Sequence, residues 1–203
     1  MSTSRSSWQD GGENAAATGR LIAVVGPSGV GKDSVITGVV ADLSKLHLVR
    51  RVITRAPELG GEEYDAVSVE RFRTMARNKA FAVHWGAHGL HYGIPATVEG
   101  RLTGGQHCIA NFSRGSLLEA NAVFDDLLVL NITATAKTLA ARLAARGRES
   151  EAEITERLRR SVKPIPEGLR VLTVSNDGAL QDTVAQAVDL LKGELGQSRR
   201  DDA

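Results

Sequence analysis

The sequence has almost no cysteine and no surplus of charge of either sign. Cys108 is the only cysteine among 203 residues, which excludes a disulfide framework and favours a reducing compartment, the cytoplasm. It lies in an apolar run with Ile109 and Ala110, a setting typical of a buried small side chain. The formal net charge is +1, so no strong field draws the chain to nucleic acid or to a membrane, and we expect neither partner.

Long apolar runs are also missing. No run approaches the roughly 20 residues that a bilayer-spanning helix needs. Residues 1–19 are rich in Ser, Gly and Ala and lack the apolar core of a signal peptide. We expect flexible tails at residues 1–19 and 196–203, around a single domain at residues 20–195. The sequence is compatible with a homodimer but does not specify the oligomeric state.

The strongest motif that is present is a glycine-rich stretch between a predicted strand and a predicted helix. It reads Gly26, Pro27, Ser28, Gly29, Val30, Gly31 and Lys32. This Gly-x-x-x-x-Gly-Lys spacing is that of a phosphate-binding P-loop. The glycines let backbone N–H groups surround an anion, the helix start adds its positive dipole end, and Lys32 reaches the outer phosphates. The motif predicts a nucleotide site, with ATP as the expected ligand.

One residue departs from the P-loop pattern. The position after the lysine is normally Ser or Thr, whose hydroxyl binds Mg²⁺, and here it is Asp33, followed by Ser34. We interpret Asp33 as a carboxylate that holds Mg²⁺ directly or through water, with Ser34 alongside. The strand that ends at Asn111 lacks the acidic residue often found near that metal, which favours this interpretation. The alternative is that Asp33 only caps the helix start.

Strands alternate with helices along the chain, which predicts an α/β fold with a parallel sheet covered by helices on both faces. Residues 46–54 are expected to form one strand because they are rich in Val and Ile. Pro95 is expected to open a helix that runs to about Leu102. Residues 55–92 interrupt the alternation, and their length suits an insertion that covers the substrate.

Arginines cluster near the predicted junction of two helices at about residues 142–160. Arg142 and Arg146 are four residues apart and share one helix face, and Arg148 follows the glycine at the junction. A guanidinium fork can hold phosphate oxygens and neutralise charge as a phosphoryl group moves, so this segment is predicted to be a lid. The alternative is a solvated helix pair joined by salt bridges.

Several motifs occur in the order seen in guanylate kinases, which the chain resembles over most of its length. They are residues 26–32, 54–57, 64–68, 88–93 and 146–147. The resemblance implies a P-loop kinase with a core, a lid and an acceptor-binding insertion. It also shows departures, because the residues with which guanylate kinases read guanine are replaced by Val83 and Ile94, and an acidic pair is replaced by Asn111 and Ser113. A guanine edge would lose its hydrogen-bond partners, so GMP is a poor acceptor.

A narrower resemblance is to the ribose 1,5-bisphosphate phosphokinases associated with phosphonate breakdown. The motifs that carry it are Lys32-Asp33-Ser34, residues 51–55, 60–62, 66–68, 81–95 and 146–149, and Asn176-Asp177-Gly178. The resemblance implies transfer of the ATP γ-phosphoryl group to the 1-phosphate of ribose 1,5-bisphosphate, with Mg²⁺, to give phosphoribosyl diphosphate.

The same resemblance implies roles for individual residues. Lys32, Arg146 and Arg148 would neutralise charge on the donor side, and Arg142 would help to bind the nucleotide. Arg55, Tyr64 and Tyr92 match positions that hold the acceptor phosphate, and Asn111 stands at an acceptor-side position. The acceptor is a phosphate oxygen that is largely ionised near neutral pH, so the reaction needs no general base.

Three histidines, His84, His88 and His91, lie within eight residues of sequence. A zinc site is one interpretation, but no cysteine is nearby and the intervening glycines argue against a helix that would align them. Contacts from His84 and His88 to the acceptor, or packing beside Trp85, are the alternatives.

Two other functions fit the same frame. One is a nucleoside monophosphate kinase with altered base choice. The other is a non-catalytic guanylate-kinase-like binding module, although such modules lose the P-loop glycines and lysine that this chain keeps.

Overall fold

Five parallel strands form the main sheet, with a fully buried strand at its centre. The computed structural model describes residues 18–56, 62–145, 147 and 164–196. The strands are β1 (Leu21–Val25), β2 (His47–Leu48), β7 (Cys108–Asn111), β8 (Leu127–Thr133) and β9 (Arg170–Ser175). Their spatial order is β2-β7-β1-β8-β9, and every neighbouring pair is parallel. The carboxyl ends of all five strands therefore lie at one edge, where the P-loop follows β1.

Helices cover both faces of this sheet. They are α1 (Lys32–Asp42), α3 (Thr97–Thr103), α4 (Leu117–Val123), α5 (Ala136–Ala145) and α6 (Leu180–Leu195). The alternation along β1 divides the core: Ile22 and Val24 pack with side chains of α1, α5 and α6. Leu21 and its alternate neighbours Ala23 and Val25 pack with side chains of α3 and α4. The predicted α/β fold, a parallel sheet between helical layers, is confirmed.

A second, four-stranded sheet stands beside the first. It contains β3 (Arg51–Ile53), β4 (Tyr64–Ala66), β5 (Phe81–Ala87) and β6 (Leu90–Pro95) in the order β4-β3-β6-β5. The β3–β4 pair is parallel, whereas β3–β6 and β5–β6 are antiparallel. Helix α2 (Val69–Arg77) covers one face, where Phe72 stacks on Phe81 with ring centroids 4.7 Å apart. The other face joins the core of the main sheet through Val83 and Ile94.

Two predicted elements differ from the structure. The single strand expected at residues 46–54 is two strands in different sheets, because the backbone pairs with β7 as far as Val49 and with β4 and β6 from Arg51. Pro95 ends strand β6 opposite Phe81 instead of opening a helix, and α3 begins at Thr97. In both places the secondary structure is determined by strand pairing with residues distant in sequence, and local propensity does not encode this pairing.

The structure also shows the surroundings of Ser68 and Cys108. Ser68 caps α2, since its hydroxyl accepts a hydrogen bond from the Arg71 backbone N–H at 3.1 Å. Cys108 is fully buried, and this burial raises the pKa of its thiol to about 11. Within the described ranges, no helix has the length and apolar character needed to cross a bilayer. The limits of the domain, the insertion and the lid remain predictions.

Replacement of Gly93 by alanine tests the packing of the second sheet. A Cβ atom at this position would lie 2.6 Å from Cδ1 and Cε1 of Phe81, so the ring or the strand must shift. We expect Gly93→Ala to lower the free energy of unfolding by about 1–3 kcal/mol, the usual cost of overpacking. Urea-induced unfolding measures the change.

Gly86, in the same hairpin, provides the matched control. A Cβ atom there would meet its nearest neighbours, in Leu90 and His91, only at 3.9 Å. Gly86→Ala should leave the free energy of unfolding within about 0.5 kcal/mol of the unaltered protein. Equal effects of the two substitutions would show that the contact with Phe81 does not restrict the size of the side chain at position 93.

Candidate active site

The P-loop follows β1 and wraps around the amino-terminal end of α1. Gly31 is the residue before the helix and has φ 91°, a left-handed conformation that favours glycine. A Cβ atom on Gly31 would lie 2.8 Å from Nδ2 of Asn176, and one on Gly26 would lie 2.4 Å from the carbonyl oxygen of Ile132. Glycine is therefore required at both positions. The first N–H groups of α1 have no partners within the helix, and they provide the donors for an anion.

Lys32 turns back over the loop. Its Nζ atom donates hydrogen bonds to the carbonyl oxygens of Gly26 at 3.1 Å and Pro27 at 3.3 Å. Burial is the main reason that the pKa of Lys32 is lowered to about 8; Asp33 and Glu62 act to raise it, and Arg51 and Arg114 to lower it further. The ammonium group remains charged at neutral pH.

Asp33 and Asn111 meet between α1 and the end of β7. Nδ2 of Asn111 donates a hydrogen bond to Oδ1 of Asp33 at 2.8 Å. Oδ1 of Asn111 is buried and has no hydrogen-bond partner among the described residues. A carboxylate beside an unpartnered amide oxygen is a donor set that suits Mg²⁺, so these two residues fit the predicted metal. Ser34, the next helix residue, is exposed.

The carbonyl oxygen of Val30 anchors the P-loop to the rest of the domain. It accepts hydrogen bonds from Nδ2 of Asn176 at 2.7 Å and from Nη1 of Arg142 at 3.3 Å. Oδ1 of Asn176 in turn accepts a hydrogen bond from the Thr183 hydroxyl at 3.0 Å. Arg142, predicted to bind nucleotide, thus lies at the loop, and its observed contact is with the loop backbone.

The second sheet presents an aromatic surface toward the core. Trp85 stacks on Tyr92 with ring centroids 5.6 Å apart and on Phe112 at 5.3 Å. The guanidinium carbon of Arg51 lies 5.1 Å from the Tyr92 ring centroid and 5.9 Å from that of Trp85. Glu62 pairs with Arg51 through two hydrogen bonds of 2.8 and 2.5 Å.

Arg55 and Tyr64, both predicted to bind the acceptor phosphate, lie next to each other. The guanidinium carbon of Arg55 is 5.8 Å from the Tyr64 ring centroid. The Tyr64 hydroxyl donates a hydrogen bond to the carbonyl oxygen of Ala56 at 2.5 Å. Tyr64 also shares a buried cluster with Tyr92, so the structure brings these three predicted residues to one side of the second sheet.

The histidines are not gathered in the same way. His84 and His91 pack on Phe72, with ring centroids at 6.2 and 5.4 Å, on the face of the sheet that α2 covers. Successive residues of a strand point to opposite faces, so His84 lies on the other side of the sheet from Tyr92. The structure therefore separates His84 from the predicted acceptor residues.

His88 occupies the turn between β5 and β6, with φ 51°, and is exposed. No group of three or more His, Cys, Asp or Glu side chains suited to a metal occurs in the described part of the chain. Arg146 and Arg148 lie outside the described residues, so their roles stay predictions.

Arg51, Glu62 and Asn176 lie within the sequence motifs but have no predicted role, and no motif includes Arg114. Arg51 is only 9% exposed although it is charged, and Asn176 is 3% exposed. A charged residue inside a predicted strand was the available signal for Arg51, because buried charges require partners. No comparable signal marked Asn176, whose partner Val30 is far away in sequence.

Comparisons with known proteins agree with this geometry. The guanylate kinase family model matches residues 18–193. A ribose 1,5-bisphosphate phosphokinase PhnN from Ruegeria sp. (strain TM1040) is 48% identical, over 90% of this chain and 96% of that relative. Its counterpart from Agrobacterium fabrum is 44% identical, over 88% of this chain and all of that relative. The chain belongs to the guanylate kinase family, within its ribose 1,5-bisphosphate phosphokinase branch.

A solved structure supports the fold of this family member. The crystal structure of guanylate kinase from Anaplasma phagocytophilum superimposes with a TM-score of 0.66, at 17% sequence identity, over 90% of this chain and 89% of that chain. The resemblance inferred from motifs is confirmed both at the level of the fold and at the level of the family.

Replacement of Asn176 by aspartate tests the anchor of the P-loop in this kinase. The substitution retains an acceptor for Thr183 but sets a carboxylate oxygen against the carbonyl oxygen of Val30. We expect a loss of about 1–3 kcal/mol of stability, from the broken buried hydrogen bond, and at least about tenfold weaker ATP binding. Thermal unfolding and calorimetric titration with ATP measure the two effects.

The matched control is Asn121→Asp, which adds the same charge at an exposed position of α4. It should change neither stability nor ATP affinity. Unchanged ATP affinity in a folded Asn176→Asp protein would show that the Val30 anchor does not shape the nucleotide site.

Proposed function

We propose that this chain transfers the γ-phosphoryl group of ATP to the 1-phosphate of ribose 1,5-bisphosphate, which yields 5-phosphoribosyl 1-diphosphate and ADP. The observation that carries the proposal is the similarity to a relative named ribose 1,5-bisphosphate phosphokinase. This chain is 48% identical to that relative over 96% of the relative's length. The buried sheet face supports it. Val83 and Ile94, which replace the guanine-reading residues, are 1% and 0% exposed and pair across the strands. These apolar side chains offer no hydrogen bond to a base.

The chemistry needs positioning and charge neutralisation. An oxygen of the 1-phosphate attacks the γ-phosphorus, the bond from that phosphorus to the β–γ bridging oxygen breaks, and ADP leaves with its electron pair. The attacking oxygen is already ionised, so no side chain has to remove a proton. Lys32 would bind the outer phosphates of ATP, and Arg55 with Tyr64 and Tyr92 would hold the acceptor phosphate.

Asp33 and Asn111 would hold Mg²⁺, with Ser34 alongside. The supporting observation is the buried Oδ1 atom of Asn111, which has no partner within the described residues. When bound, the ion would neutralise charge on the phosphates of ATP. Arg146 and Arg148 are proposed to contribute positive charge from the lid.

An acceptor panel tests the proposed function. The purified chain is supplied with Mg²⁺, ATP and one of four acceptors, ribose 1,5-bisphosphate, GMP, AMP or dTMP, and ADP release is followed. We expect turnover only with the sugar bisphosphate, because Val83 and Ile94 leave the polar edge of a base without partners. Turnover of GMP with none of the sugar bisphosphate would instead establish a nucleoside monophosphate kinase. Absence of ATP binding would favour a non-catalytic module.

Asp33→Asn tests the metal role. The amide oxygen of asparagine can still accept the hydrogen bond from Asn111, so the local packing is kept while the negative charge is lost. We expect the Mg²⁺ concentration for half-maximal rate to rise by about tenfold or more and kcat to fall. The rate is measured against Mg²⁺ concentration at saturating ATP.

Asp42→Asn is the control, since Asp42 is an exposed residue at the other end of the same helix. It should leave the Mg²⁺ dependence unchanged. If Asp33→Asn also had an unchanged Mg²⁺ dependence and kcat, Asp33 would act only as a cap of the helix start.

A further inference from the structure

Arg51 is a buried cation that the proposed mechanism has not used. Only 9% of the residue is exposed, on strand β3 of the second sheet. Its Nε and Nη2 atoms donate to the two carboxylate oxygens of Glu62, at 2.8 and 2.5 Å. This pairing occupies one edge of the guanidinium group and holds its plane in a single orientation.

The other edge of the same guanidinium remains able to donate. An arginine has five N–H groups in a fixed fork, and the pairing with Glu62 uses one on Nε and one on Nη2. The two groups on Nη1 and the second on Nη2 are left, and Nη1 has no hydrogen-bond partner in the described part of the chain. Two neighbouring donors in one plane match the spacing of two phosphate oxygens.

The surroundings of Arg51 face the predicted acceptor side. Its guanidinium group lies over the Tyr92 and Trp85 rings, and Arg51 pairs across the sheet with Tyr64. The charges of Arg51 and Glu62 also affect the pKa of Lys32, which Arg51 lowers and Glu62 raises. The stacked rings of Trp85 and Tyr92 form the platform on which this guanidinium group lies.

The neighbouring arginines Arg50 and Arg55 already contact other residues. Arg55 lies against Tyr64, at the predicted site of the reacting phosphate. Arg50 pairs with Asp65 at 3.2 Å and donates to the backbone carbonyl oxygen of Tyr64 at 3.5 Å, and the side chains of Arg50 and Asp65 are more than half exposed. Among these neighbouring arginines, Arg51 alone combines burial, a fixed orientation and an unused fork edge.

We propose that Arg51 binds the second phosphate of the acceptor, the 5-phosphate that does not react, and thereby selects a bisphosphorylated sugar. This inference rests on the proposed function. A buried fork is left without its partner when the acceptor lacks that phosphate, and sites of this kind reject truncated substrates strongly. Arg51 is thus a specificity residue that contacts the acceptor away from the transferred group.

The test compares two acceptors, ribose 1,5-bisphosphate and ribose 1-phosphate, on the unaltered chain and on Arg51→Met. We expect the substitution to lower kcat/KM for the bisphosphate by about 30- to 100-fold and that for ribose 1-phosphate by less than about threefold. Dissociation constants from calorimetry give the same comparison if ribose 1-phosphate turns over slowly. Arg50→Met, the adjacent exposed arginine, should affect neither acceptor.

Two further variants separate binding from folding. Arg51→Met leaves Glu62 as a buried charge without a partner, which destabilises proteins. The double variant Arg51→Met/Glu62→Gln removes both charges and should show the same selective loss. Arg51→Lys keeps the ion pair but lacks the fork, and we expect a loss of about tenfold, again confined to the bisphosphate.

The outcomes distinguish this inference from the proposed function. No turnover of ribose 1,5-bisphosphate by the unaltered chain would overturn the proposed function and the inference together. Turnover with equal losses on both acceptors would overturn the inference alone and assign Arg51 to the reacting phosphate. Equal affinity of the unaltered chain for the two acceptors would also overturn it, since no group would then bind the 5-phosphate.

Discussion

The hydrogen bonds at the carbonyl oxygen of Val30 hold the nucleotide site in shape. Through this one atom, Asn176 at the end of β9 and Arg142 on α5 are tied to the P-loop. Thr183 on α6 extends the connection by fixing the Asn176 amide. A glycine-rich loop has high conformational freedom in the unfolded chain, so it can present its N–H groups in one arrangement only if other elements hold it. Here the carboxyl edge of the main sheet provides that support.

The site also concentrates positive charge before any phosphate is bound. Arg51 and Arg114 lower the pKa of Lys32, and Asp33 and Glu62 act to raise it. The lowered pKa of Lys32 reflects the cost of burying an ammonium group, and phosphate oxygens would reduce that cost. Carboxylates in the site therefore have two effects: they stabilise the cations in the folded chain, and they orient them for an anionic ligand.

The two faces of the β5–β6 strand pair in the second sheet have different surroundings. On one face Tyr92 and Trp85 stack beside Arg51, and on the other face the rings of His84 and His91 lie against Phe72 of α2. Val83 and Ile94 are buried apolar side chains that offer no hydrogen bond to a base. Under the proposed function, Arg51 and Arg55 would bind the phosphates of the acceptor. Under that proposal, recognition of the acceptor would depend on charge more than on hydrogen bonds to a base.

Local sequence was sufficient for the P-loop, because a strand, a glycine-spaced turn and a lysine at a helix start form a contiguous unit. The alternation of strands and helices likewise predicted the α/β fold, and motif order predicted the family. The reason is that each of these features depends on neighbouring residues, whose backbone preferences are visible in the chain itself.

Tertiary structure decided the remainder. The split of residues 46–54 between two sheets, the side of the sheet that His84 occupies, and the pairing of Arg51 with Glu62 all depend on partners distant in sequence. The Asn176 amide donates a hydrogen bond to Val30, although the two residues are 146 positions apart in sequence. Strand register and long-range hydrogen bonds depend on the free energy of the assembled core. No local sequence pattern encodes that free energy.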